Sequence, residues 1–182
     1  SFIKEQRANK KFYVLRLKPT TFQVFPEYDL SKQVKIMKLL REASLPTPEV
    51  LWEEENISIL GTPFYVMRWV EGKAPSDNPP FHMDPESWMS KATPQQRSKV
   101  WWGWVDYMSE IHLLDLARYD FSFLEKDNLY ISPLDQDLAY YESYLSWSMQ
   151  GEKHDICEQV LFWLKSNKPP PDQPKTFCWG DS

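Results

Sequence analysis

The chain has 182 residues, 42% of them hydrophobic, and a net charge of −5. That hydrophobic share can form one substantial core or two small lobes sharing an interface, and 15% aromatic residues argue against a disordered chain. The acidic balance, without a basic run, argues against nucleic-acid binding, and no apolar stretch is long enough for a membrane span. The two cysteines, Cys157 and Cys178, sit in no metal-ligand or CxxC spacing and read as reduced thiols of a cytoplasmic protein.

In chain order, residues 11–18 (KFYVLRLK) read as a strand, with Leu15 and Leu17 on one face and Arg16 and Lys18 on the other. The polar Arg7-Ala8-Asn9-Lys10 before it suits a hairpin turn, which makes residues 2–6 its partner strand. Asp29 is placed as an N-cap, and Leu30, Val34, Met37 and Leu40 follow at helical spacing through Ala43. Pro46 and Pro48 stop that helix. Strands are expected over 50–53 and 63–70, the second a mostly apolar run broken by Glu71-Gly72. Residues 73–92, rich in Pro, Asp and Ser, read as a loop.

Thr93-Pro94-Gln95-Gln96 predicts a helix start with Thr93 as N-cap, Pro94 at the first position and Gln96 closing a capping box. Trp101, Trp104, Val105, Met108 and Ile111 then share one face, which predicts packing against a core. Ser132-Pro133 opens a second helix with Leu134, Leu138, Tyr141 and Leu145 in phase. A third spans about 153–166 with Ile156, Val160 and Leu164, and the prolines at 169–171 end it. Residues 175–179 are expected as a short strand leading into Gly180-Asp181-Ser182. The order of strands with one helix, then helices, predicts an α+β chain of two lobes. Residues 1–72 form the first lobe and 73–182 the second, with a hinge at 67–72 and a ligand cleft between them.

Several segments together resemble the aminoglycoside phosphotransferase family, whose fold is that of the protein kinases. Tyr13-Val14-Leu15-Arg16 resembles the strand that carries the nucleotide-binding cation. Gly61-Thr62-Pro63-Phe64-Tyr65-Val66-Met67 leading to Val70-Glu71-Gly72 resembles the hinge. Ile111-His112-Leu113-Leu114-Asp115 resembles a helix of the C-terminal lobe, and Cys178-Trp179-Gly180-Asp181 the start of the catalytic loop. Arg16 and Trp179 make the chain most similar to the branch associated with acyl-CoA dehydrogenases. The implied architecture is an antiparallel sheet plus helix in the N-terminal lobe and a mainly helical C-terminal lobe, incomplete at both ends.

The resemblance implies an ATP-dependent phosphotransferase moving the γ-phosphoryl group to a hydroxyl of a small molecule. Arg16 would clamp the nucleotide phosphates, since a guanidinium grips two oxygens at once, and Val14 on the same face would cover the adenine. Read alone, Arg16 is a surface charge with Lys18 as an equal candidate. The Arg68 carbonyl and Val70 amide would bond the adenine edge, with Met67 packed behind. Asp181 would be the catalytic base, although Gly-Asp by itself signals only a turn. Where kinases pair the cation with a helix glutamate, this chain has Gln33, with Glu27 as a possible substitute. His112, on a helix among apolar neighbours, reads as a structural histidine.

The Mg²⁺ ligands implied by the resemblance, an Asn and a later Asp, are expected beyond Ser182, and a glycine-containing phosphate loop before Phe2. The chain is therefore expected to be an internal piece of a longer reading frame, inactive on its own. A non-catalytic kinase-like module binding nucleotide or a partner is the alternative, suggested by Arg16 and Gln33 in place of Lys and Glu. A helical interaction domain built on the Trp-rich helices is a third possibility, opposed by the strand-rich first third.

Overall fold

The computed structural model describes residues 2–4, 11–21, 24–125, 132–170 and 174–179, with residues 2–4 described in their backbone alone. The hairpin-turn residues 7–10 and the end of the proposed first strand, Glu5 and Gln6, lie outside the described residues.

The aromatic and β-branched run around Val14 forms β2 (Phe12–Leu17), flanked by β1 (Phe2–Lys4) on one side and β4 (Phe64–Arg68) on the other. β3 (Val50–Glu54) closes a four-stranded sheet of order β1-β2-β4-β3, antiparallel throughout. Register decides which residues share a face, because side chains alternate along a strand. Val14 is opposite Met67 and Arg16 opposite Tyr65, so these four share one face, while Tyr13, Leu15, Val66 and Arg68 share the other. The register of β3 shifts between Val50 and Trp52. A short helix, α2 (Ile57–Leu60), precedes β4 and ends at Gly61, whose φ of 78° is a left-handed turn that glycine adopts without a Cβ clash.

Asp29 caps α1 (Leu30–Glu42) as its sequence position predicts, accepting from the Lys32 N–H. One side of α1 covers the Arg16 face of the sheet: Leu30, Val34 and Tyr65 are buried together, with Met37, Val50 and Met67 packed against them. The other side enters a second core. There Leu40, with Leu45 just beyond the helix, meets Ile111 and Phe121, and Phe177 packs on the group. The helix is thus shared by both halves of the chain.

The expected loop at 73–92 is more ordered than its composition suggests. It contains a 3₁₀ turn (Phe81–Met83) and α3 (Trp88–Lys91), capped by the Ser87 hydroxyl and anchored by the buried Met89. Thr93 and Gln96 form the full capping box of α4 (Pro94–His112). Ser132 caps α5 (Pro133–Met149), and α6 (Asp155–Ser166) follows. The Tyr144 hydroxyl of α5 donates to the Val24 carbonyl (2.9 Å), tying the chain before α1 to the helical half.

The helical stripes are present, but several of their residues are not packed. Trp101 is 58% exposed, and Ile156 and Val160 are 69% and 52% exposed. Periodicity sets which residues line up on a helix, not what covers them. Trp101 meets Trp104 of its own helix, ring centroids 5.3 Å apart, and more than half of each of the three residues stays exposed. No helix among the described residues is long and apolar enough to cross a membrane.

Candidate active site

Arg16 and Val14 lie on the face of β2 that α1 covers. Tyr65, directly across from Arg16, is buried and donates from its hydroxyl to Gln33 Oε1 of α1 at 3.4 Å. Burial raises the Tyr65 phenol pKa, and the positive field of Arg16 opposes that shift. Gln33 is therefore engaged with Tyr65. Among the described residues no carboxylate forms an ion pair with Arg16. Glu27 exerts its field elsewhere: the Tyr140 phenol of α5 is raised by burial, by its neighbours Tyr141 and Tyr144, and last by Glu27.

The hinge residues follow from the ladder. The Arg68 N–H donates to the Glu49 carbonyl (2.9 Å), so the Arg68 main chain turns away from β2 toward the edge where β3 begins. Trp69 turns back, its N–H donating to the Phe12 carbonyl (3.2 Å). Val70, the next residue, is exposed. The Arg68 guanidinium bonds Glu49, which holds that carboxyl below the usual carboxylate range, and points to the face opposite Arg16. Met67 packs in the α1 core.

A cavity of about 530 Å³ lies near the start of α1, lined by Lys18, Glu27, Asp29, Glu53, Glu54 and Glu55 among others. Its carboxylates repel a polyphosphate, and Arg16 is absent from its lining.

Gly180, Asp181 and Ser182 lie outside the described residues. The approach to them is described, and it differs from the expected short strand: residues 174–179 have no strand partner among the described residues. They are held instead by side chains and by the end of α4. The Thr176 hydroxyl donates to the His112 carbonyl, and the Trp179 N–H donates to His112 Nε2 at 3.0 Å. Phe177 stacks on Phe121 with centroids 4.3 Å apart and planes 13° apart. His112 is structural, as read from the sequence, but its partner lies two residues before Asp181. Its position at the end of an amphipathic helix was the only local signal of that role.

Through α1 the structure brings the two groups of candidates together. Its first turns pack against the strands carrying Val14, Arg16 and Met67, and its last turns share a core with Ile111 and Phe177. A sequence profile of the phosphotransferase enzyme family (APH) matches residues 3–182. The chain belongs to this family.

Relatives match over nearly the whole of this chain. The chain is 25% identical over 175 residues to acyl-CoA dehydrogenase family member 11 of Rattus norvegicus, covering 93% of this chain and 20% of that protein. It is 30% identical over 173 residues to acyl-CoA dehydrogenase family member 10 of Mus musculus, covering 92% and 14%. The chain thus spans a fifth or less of the length of these relatives. A crystal structure of a putative aminoglycoside phosphotransferase from Ralstonia eutropha superposes with a TM-score of 0.59 at 18% identity, over 94% of this chain and 49% of that one. The fold is the kinase-like phosphotransferase fold, α+β as the element order predicts.

For a nucleotide, the described residues fit in kind: Arg16 is an exposed cation, and Arg68 ends β4, its N–H already bonded to the Glu49 carbonyl. Among the described residues no group of three or more His, Cys, Asp or Glu is arranged to hold a metal ion.

Proposed function

We propose that this chain carries the nucleotide cleft and the start of the catalytic loop of an ATP-dependent kinase acting on a small-molecule hydroxyl. Arg16 binds the phosphates, Val14 covers the adenine, and the Arg68 carbonyl and Val70 amide bond its edge, with Met67 packed behind. Asp181 accepts the hydroxyl proton as the acceptor oxygen bonds to the γ-phosphorus and the bond to the ADP oxygen breaks. Mg²⁺, held by residues other than those described, neutralises the phosphate charge when bound. The observation that most supports this reading is α1, packed at one end against the Arg16 face and at the other against Phe177, four residues before Asp181.

The test is ADP release by the full-length protein containing these residues, with Mg²⁺ and a panel of hydroxyacyl-CoA, choline, sugar and aminoglycoside acceptors. The relatives' names contain acyl-CoA, and hydroxyacyl-CoA, an acyl-CoA with a hydroxyl to accept the phosphoryl group, therefore comes first in that panel. Acceptor-dependent turnover lost in Asp181→Asn supports the reading, and turnover unchanged in that variant rejects the assigned base. The second reading, a nucleotide-binding module without turnover, is favoured by the engagement of Gln33 with Tyr65. ATP binding measured by calorimetry, with no turnover on any acceptor, would establish it.

A further inference from the structure

The end of α4 is tied to the chain that leads into Asp181 by two hydrogen bonds that converge on one residue. A helix leaves its last carbonyls without intrahelical donors, and the His112 carbonyl, at that end of α4, is met by the Thr176 hydroxyl. The His112 side chain, half-buried, accepts the Trp179 N–H at Nε2. An imidazole nitrogen that accepts carries no proton, so this bond requires neutral His112 with its hydrogen on Nδ1. The helix end itself is fixed, because Ile111 is buried in the core that also holds Phe121 and Phe177. Two ties and one ring stack thus fix residues 176–179 over a span of four residues.

We propose that His112 is a positioning residue for phosphoryl transfer: its Nε2 sets the path by which the chain enters Gly180-Asp181. The proposal rests on the reading of Asp181 as the base. His112 touches neither nucleotide nor acceptor. It acts by holding the Trp179 main chain, and a base displaced by even an ångström loses much of its rate.

The test compares two neutral amides in the full-length protein. In Gln the side-chain oxygen is as many bonds from Cα as Nε2 is in His, so His112→Gln can still accept the Trp179 N–H. In Asn the oxygen stops one bond short. The expected result is a kcat within about threefold of wild type for His112→Gln and about 10- to 100-fold lower for His112→Asn, with KM for ATP unchanged in both. Equal kcat in the two variants, or a loss that falls on KM for ATP, overturns the proposal. Asp181→Asn runs beside them. If it is inactive while His112→Asn turns over as wild type does, the positioning role alone fails. If Asp181→Asn retains activity, the assignment of the base fails instead.

Discussion

Arg16 stands directly opposite Tyr65 in the β2–β4 ladder, and the Tyr65 hydroxyl is bonded to Gln33 of α1 rather than left for the guanidinium. On this face the cation stands beside a half-buried phenol–amide bond and not a carboxylate. Arg16 remains exposed and, among the described residues, free of any carboxylate partner. The arrangement leaves its guanidinium available to phosphate oxygens.

Arg16→Met should therefore separate binding from stability. Removing an exposed charge without an ion-pair partner shifts the unfolding free energy by no more than about 0.5 kcal/mol. Losing a charge-assisted bond to phosphate raises KM for ATP about tenfold or more. Lys18→Met is the control, and KM for ATP should stay at the wild-type value. If Lys18→Met weakens ATP and Arg16→Met does not, the clamp belongs to Lys18.

The sheet–helix contact depends on volume more than on the Tyr65 bond. Val34 is fully buried between α1 and the sheet. Val34→Ala removes two methyl groups from that site and should cost about 2 kcal/mol in urea unfolding. Tyr65→Phe removes one hydrogen bond at the long end of the range to a half-buried partner, and should cost under about 1 kcal/mol. A larger loss in Tyr65→Phe than in Val34→Ala would make the Gln33 bond the main tie.

These contacts also show what the sequence could disclose. The Asp29 cap, the Thr93–Gln96 box and the Ser132 cap were legible because each is a bond across three residues. The strand at Val14 and Arg16 was legible through alternation. The helix at Trp88 was not, because its four residues sit in a Pro- and Ser-rich stretch too short to show a period. Exposure of Trp101 and Ile156 was invisible to periodicity, which marks an apolar stripe whether or not anything lies on it. The His112–Trp179 bond spans 67 residues, and no local pattern reports it.

An acid-sensitive tie should link α5 to the chain after α6. Asp135 Oδ1 meets Lys168 Nζ at 2.5 Å. That bond first, and the Ser132 hydroxyl second, hold the Asp135 carboxyl below its ordinary value. A folded-state pKa below the unfolded one means the stabilisation is full above the ordinary value and disappears as pH falls through the folded pKa. The loss therefore lies below about pH 4. Thermal unfolding followed between about pH 2 and 5 should fall less steeply in Asp135→Asn than in wild type. Parallel curves for the two proteins would show that the pair contributes nothing in solution.

Phe177 should couple the core to catalysis more than to nucleotide binding. Its ring stacks on the buried Phe121 and joins the group formed by Leu40, Leu45 and Ile111, on the side of α1 away from the sheet. Phe121→Ala opens that core and should cost about 3–5 kcal/mol. Phe177 is only half-buried, so Phe177→Ala should cost less, about 2 kcal/mol, and the full-length protein should still fold. Its effect should then appear in kcat, because the segment before Asp181 loses its ring anchor while the strands bearing Arg16 and Met67 keep theirs. Phe177→Leu, which restores apolar volume without the stack, should recover most of the stability and part of kcat. A Phe177→Ala variant with weakened ATP binding and unchanged kcat would place this segment on the nucleotide side of the cleft.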